Sequence, residues 1–294
     1  MTIDWVYLLE IALSGIGAGA LLAVTGVAFV LIYRVTRVVN LAIGETLMLG
    51  AYLFFSFTSI LGLPVWLAVP LVIVAGGLFG AGLERVIIRP MLGQSPMSVF
   101  MVTIGIGSIL VGIVQLTWGV APHRLIAIVS EKPMFLGPAY VSSKSIAAFT
   151  MAVGVIALFL IVLRFWRGSL QLKATASDAG AAFSCGINVP RVYLLSWAVA
   201  CAIACGAGIL VGMVGGISPE MGVFGLSVLS VVIMGGLDSI LGTLVVALFV
   251  GLVEAYSASF IGGEFKQIST FILLLVMLYL RPHGLFGTAE IDRL

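Results

Sequence analysis

Glu45 and Glu254 each stand alone in a long apolar run of this 294-residue chain. A carboxylate in such surroundings is costly unless it is paired, protonated or facing water, so each is a candidate for chemistry. Glu45 follows Asn40 and Gly44, and Glu254 lies between Gly251 and Tyr256. Structural alternatives stand beside a pathway role: an interhelical hydrogen bond, a helix-terminus interaction or, for Glu45, a salt bridge to nearby Arg34 or Arg37. Glu84, Arg85 and Arg89 read as a surface charge cluster. His123 and His283 are far apart, and neither opens a His-Glu-x-x-His helix, so no metal site is indicated. Cys201 and Cys205 lie four apart in an apolar run without a Cys-x-x-Cys pair, which suits packing residues. No lysine follows a glycine anywhere in the chain. The Gly-Lys-Ser/Thr of a phosphate-cradling loop is therefore missing, and any ATP-driven step belongs to another polypeptide. No cofactor and no enzymatic constellation is visible.

These residues must be positioned by elements suited to lipid. The chain is 62% apolar and 9% charged, against about 25% charged in a soluble domain. Surface that water cannot solvate must face a bilayer. The net charge of +2 does not suggest nucleic acid. No Lys or Arg precedes Arg34, so the basic start of a cleaved signal peptide is absent and the first helix is expected to be retained.

Gaps between charges predict all-α architecture, a polytopic integral membrane protein with about nine spans (eight to ten) in a single domain over residues 1–294. The expected spans are Ile11–Tyr33, Leu41–Leu61, Val65–Leu83, Met97–Trp118, Ile146–Leu163, Val192–Val214, Gly222–Leu237, Leu241–Phe260 and Ile268–Leu280. Gly222–Leu237 is short and glycine-rich, either a thin span or a re-entrant segment. With the N-terminus outside, the inner face holds Arg34, Arg37, Arg85, Arg89, Arg164, Arg167, Lys173, Arg191, Arg281 and Arg293. The outer face then holds Arg124, Lys132, Lys144 and Lys266. That bias favours an N-out, C-in topology. The pairs Gly15–Gly19, Gly76–Gly80 and Gly208–Gly212 suit close helix packing.

Two connections exceed a turn. Gly119–Ser143 on the outer side contains Pro122, Pro133 and Pro138. On the inner side, Arg164–Arg191 holds a short helix over Thr175–Cys185, within 168–190. Ser177 and Asp178 lie near its start, Gly186 suits the C′ position, and Pro190 follows. Such a small-residue helix flanked by basic residues offers a docking knob. A plain connecting helix is the alternative.

The run Val39–Tyr52, with Asn40, Gly44 and Glu45, resembles the Asn-Phe-Ala-His-Gly-Glu segment of LivH-type branched-chain amino-acid permeases. Further matches follow in order: Glu84-Arg85 with Arg89-Pro90, Thr103-Ile104-Gly105, Trp118-Gly119, Gly186-Ile187-Asn188-Val189, Gly235-Gly236-Leu237, and Arg281-Pro282-x-Gly284-Leu285-Phe286-Gly287. They span nearly the whole chain. Three departures stand out: Ile43 replaces the family's His, Gly180 stands where relatives often carry an acid, and Asp238 replaces a glycine.

The resemblance implies an ABC importer permease in a bacterial inner (plasma) membrane. Its implied partners are a second, LivM-like permease in a heterodimer, two cytoplasmic ATP-binding subunits and a periplasmic or extracellular substrate-binding protein. The implied cargo is a branched-chain amino acid or a related small amino acid, amide or organic acid, moved by alternating access. The candidate pathway residues are Asn40, Glu45, Thr103, Gly105, Gly235, Gly236 and Glu254. The candidate ATPase-coupling residues are Lys173, Thr175, Ser177, Asp178, Ala182 and Gly186. The rival readings are a stand-alone secondary transporter or channel and, more remotely, a membrane-embedded enzyme.

Overall fold

The computed structural model describes residues 5–125, 134–136, 139–166, 168–282 and 284–287. Lys132, Pro133, Pro138, Arg167, His283 and Arg293, used in the readings above, lie outside the described residues. The helices in chain order are α1 (Trp5–Thr36), α2 (Ile43–Phe55), α3 (Val65–Leu83), α4 (Arg89–Met91), α5 (Pro96–Trp118) and α6 (Ser143–Phe165). There follow α7 (Gly168–Ser177), α8 (Ala179–Ser184), α9 (Val189–Gly215), α10 (Phe224–Gly235), α11 (Ile240–Phe260) and α12 (Phe265–Leu280). Two π turns extend α2 (Ser56–Ile60) and α3 (Glu84–Ile88), and a 3-10 turn, Pro219–Val223, leads into α10. The only non-helical pairing of strands among the described residues is an antiparallel hairpin, β1 (Met134–Leu136) with β2 (Ala139–Val141). It lies within the long loop expected before Ser143.

Among the described residues, seven helical stretches are long and apolar enough to cross a bilayer, and Pro219–Gly235 and Phe265–Leu280 are apolar but shorter. Helix α1 is central: 89% of its apolar stretch is buried, against 17% for α6. The bundle has two distinguishable ends. At one, the hairpin meets the start of α1, where the Tyr140 N–H donates to the Glu10 carboxylate. At the other, Arg34, Arg164 and Lys173 line a groove with Asp238 and Ser239. These are the hairpin end and the basic end below.

Lipid supplies no hydrophobic drive between helices, so close backbone approach must supply contact. Gly15 and Gly19 of α1 abut α11, where a Cβ on Gly15 would stand 2.9 Å from the Leu252 Cα. Gly76 and Gly80 of α3 abut α9, where a Cβ on Gly80 would stand 2.7 Å from the Cys201 Cβ. Gly50 and Gly208 bring α2 and α9 together in the same way. Of the glycine pairs noted in the sequence, Gly15–Gly19, Gly76–Gly80 and the Gly208 member of the third sit at close helix approaches, whereas Gly212 packs against Ile217 and Leu125 of the connecting segments. Cys201 and Cys205 fill one of these seams, and the Cys205 Sγ donates to the Thr46 carbonyl at 3.4 Å.

The sequence predicts one helix over Thr175–Cys185, whereas two are present. Asp178 has φ −156° and ψ 109°, which breaks the path, and its carboxylate accepts from the Gly180 and Ala181 N–H groups at 2.8 and 2.9 Å. It is therefore the N-cap of α8, a role for which Asp is well suited. Gly186, at φ 83°, closes α8. Its N–H donates to the Phe183 carbonyl and that of Ile187 to the Ala182 carbonyl, a Schellman motif. The Asn188 side chain then caps α9 through the Arg191 N–H at 3.2 Å.

Candidate functional site

Helices α2 and α10 both begin level with the middle of α5. Glu45 of α2 packs beside Gly107, the central residue of α5: a Cβ on Gly107 would stand 3.2 Å from the Glu45 Cδ. From α9 the chain turns inward at Gly216, passes the 3-10 turn beside Glu45 and starts α10 at Phe224. The two starts touch glycine to glycine, since a Cβ on Gly44 would lie 2.8 Å from the Gly225 Cα. Gly222 makes room for the carboxylate, as a Cβ there would be 3.1 Å from Glu45 Oε1. The α2 N-terminus, with its free N–H groups and partial positive charge, therefore meets the 3-10 turn that runs on into α10.

The Glu45 Oε2 is buried and finds no hydrogen-bond partner among the described residues. Neither Arg34 nor Arg37 reaches it, so the salt bridge weighed from the sequence is not formed among the described residues. Glu45 instead lines a cavity of about 750 Å³ that opens toward the hairpin end. Gln115, His123, Arg124, Glu220 and the Gly215–Pro219 turn complete its polar wall. The wall is fixed by a two-way backbone bridge, His123 N–H to Ile217 O and Ile217 N–H to His123 O, both 2.9 Å.

Asn40 and Thr103 brace this junction from the basic end. Asn40 is buried, and its Oδ1 accepts from the Ala42 N–H at 3.1 Å. The Thr103 hydroxyl accepts from the Leu41 N–H at 3.3 Å and donates to the Phe100 carbonyl at 2.8 Å, tying the α1–α2 connection to α5. Gly105 stands apart on the outward face of α5, with open space around it.

Glu254 belongs to a different setting. Buried on α11, it accepts from the Thr270 hydroxyl at 2.7 Å and faces the Lys266 ammonium at 3.5 Å. It lines a separate cavity of about 330 Å³ with Ser227 and Gln267.

Gly235 and Gly236 lie at the basic end. The Leu285 N–H donates to Met234 O at 2.8 Å and the Phe286 N–H to Gly235 O at 3.2 Å, laying residues 284–287 across the end of α10. A Cβ on Gly236 (φ 104°) would stand 2.8 Å from the Gly287 Cα. The Gly-Gly-Leu and Gly-Leu-Phe-Gly segments are thus one structural unit.

The candidate coupling residues gather on α7 and α8. Lys173, Ser177 and Asp178 are exposed, whereas Thr175 and Ala182 are buried against the bundle. Sequence reasoning missed the roles of Gly107 and Gly222. The Glu84–Arg85–Arg89 surface cluster read from the sequence is corrected: Glu84 is buried and forked to Arg89, which also reaches Pro190, a contact the sequence did not signal.

Helix starts that meet within an apolar bundle beside a polar cavity match the pattern of membrane transport proteins. A family model described as "Branched-chain amino acid transport system / permease component" matches residues 11–280, and the chain belongs to that family. It is 27% identical over 308 residues to the high-affinity branched-chain amino acid transport system permease protein LivH of Escherichia coli (strain K12), covering 100% of each chain. BraD, a permease protein of the same description from Pseudomonas aeruginosa, is 26% identical over 300 residues and covers 97% of each. A probable LivH of Methanocaldococcus jannaschii is 25% identical over 282 residues, covering 91% of this chain and 89% of that one. Among solved structures, PsaBC from Streptococcus pneumoniae in complex with Fab shares the fold at TM-score 0.51 and 13% identity, covering 94% of this chain and 92% of that one.

This LivH-type chain is the membrane subunit of an ABC importer, a multi-pass protein of the inner membrane. Its relatives are transport permeases, and ATP hydrolysis and substrate capture belong to separate ATPase and binding-protein subunits.

Proposed function

We propose that this permease carries branched-chain amino acids, or related small amino acids, amides or organic acids, through a path at the α2–α10 junction. The observation that carries this reading is the Glu45 carboxylate, one oxygen of which is buried without a partner among the described residues, facing a cavity of about 750 Å³ level with the middle of α5. Broken helices at the midplane are where transporters of many folds hold their cargo. Asn40 and Thr103 brace the junction, Gly105 faces the partner permease across the path, and Gly235, Gly236 and Glu254 hold the surrounding helices.

The proposed topology has nine spans (α1, α2, α3, α5, α6, α9, α10, α11 and α12), N-out and C-in, within one domain over residues 1–294. The ten-to-four split of basic residues supports it. The cavity then faces the binding protein, and α7–α8 face the ATPases, which bear on Lys173, Thr175, Ser177, Asp178, Ala182 and Gly186. A LivM-like permease completes a heterodimer. Alternating access follows when ATP-driven closure pushes α7–α8 and the path opens inward.

Two measurements test the reading. Uptake of radiolabelled leucine by the co-expressed importer should be competed by valine and isoleucine; leucine uptake that neither these nor any small amide or organic acid competes overturns the cargo assignment. A cysteine placed at Ser177 should react with an impermeant maleimide only in inverted vesicles; labelling in intact cells overturns the topology.

A further inference from the structure

Glu84 and Arg89 are five residues apart. On an α-helix such residues point about 140° apart and cannot meet. Here the turn between them is a π turn, whose i→i+5 hydrogen bond stacks those positions. The Arg89 N–H donates to the Glu84 carbonyl. The side chains pair above it: Arg89 Nε and one terminal nitrogen donate to the two Glu84 oxygens at 3.0 and 2.8 Å. Pro90, without an N–H of its own, follows directly. The Glu84 carboxylate is 1% exposed, and among the described residues this fork is its ion pair.

The same Arg89 nitrogen also reaches the Pro190 carbonyl, at 3.2 Å. Pro190 lies in the first turn of α9, two residues after the Asn188 cap that ends the α7–α8 segment. Arg89 therefore connects the exit of that segment to the end of α3 and, through residues 92–95, to the start of α5. Helix α5 carries Gly107 against Glu45. A guanidinium fixed on one side by a buried carboxylate transmits displacement, because its fork geometry resists rotation.

We propose that Arg89, clamped by Glu84 on the π turn, is a positioning residue: the tie through which the α7–α8 segment moves α3 and α5. The proposal rests on the reading that α7–α8 meet the ATPases.

The test uses the complete importer in proteoliposomes, measuring substrate moved per ATP hydrolysed. Removing Arg89 alone would strand Glu84, so Glu84→Met is combined with Arg89→Met, an apolar pair of similar volume that a buried ion-pair site tolerates. The ATPase subunits should co-purify while the ratio falls about tenfold, the factor one hydrogen bond to a charged group is worth. An unchanged ratio, or loss of the ATPase subunits, overturns the proposal. Should the double variant fail to insert, Arg89→Lys decides: an ammonium cannot fork to Glu84 while holding Pro190, so an intermediate ratio is expected and an unchanged one overturns it. Asp178→Arg tests the underlying reading separately. It should release the ATPase subunits, and their retention with normal uptake sinks the docking role without bearing on the Arg89 geometry.

Discussion

The corner at Glu84 and the junction at Glu45 present the same side chain in opposite conditions. Glu84 is closed: a fork from Arg89 satisfies both oxygens, and Gly80 one turn earlier presses α3 onto α9. Glu45 is open: one oxygen lacks a partner among the described residues, glycines surround it, and the cavity reaches it. A saturated carboxylate holds helices together, because removing its partner exposes the full cost of a buried charge. An unsaturated one has little to hold, and its value lies in what passes it. Buried charge in this bundle therefore does two jobs, and the partners distinguish them.

The sharpest way to break this contrast is Arg89→Ala. It leaves Glu84 stranded and should lower stability by about 3 kcal/mol, read as the thermal unfolding midpoint of the purified complex in detergent. Gly80→Val comes next, at about 2 kcal/mol from overpacking against Trp197 and Cys201. The parallel change at Gly105, where space is open, should be nearly silent, and equal effects at both glycines would dissolve the distinction between seam and outward face. Asp178→Ala should cost about 1 kcal/mol through loss of the α8 cap while Asp178→Asn spares it; hydrogen exchange over residues 179–184 reports the difference. Glu45→Gln should likewise change stability little, within about 0.5 kcal/mol. Its uptake should nevertheless collapse, and a variant that unfolds early or transports normally would place Glu45 with Glu84 after all.

Much of the fold was legible because a bilayer writes itself into a chain as gaps between charges. Seven of the expected spans fall within or across long helices, Ile268–Leu280 falls on a shorter one, and Gly222–Leu237 is ambiguous in sequence because it is half a helix. A 12-residue α10 preceded by a 3-10 turn carries too little apolar sequence to announce itself. The α7–α8 segment shows what local signals do and do not say. Gly186 was read as a C′ residue and is one, whereas Asp178 was read as lying near a start and proved to divide two helices. The candidate site was less legible. Glu45 and Thr103 were singled out by type, but Gly107 and Gly222, which give Glu45 its room, look like any of 36 glycines. The Glu84–Arg89 fork escaped because its spacing suits no α-helix, and only a π turn makes it possible.

The strap formed by residues 284–287 has a consequence for synthesis. The hydrogen bonds from Leu285 and Phe286 to Met234 and Gly235 finish the corner between α10 and α11. Those residues leave the ribosome some 50 positions after the corner they complete. Until they arrive, the Met234 and Gly235 carbonyls lack these donors, so the α10–α11 corner can close only after α11 and α12 have been made.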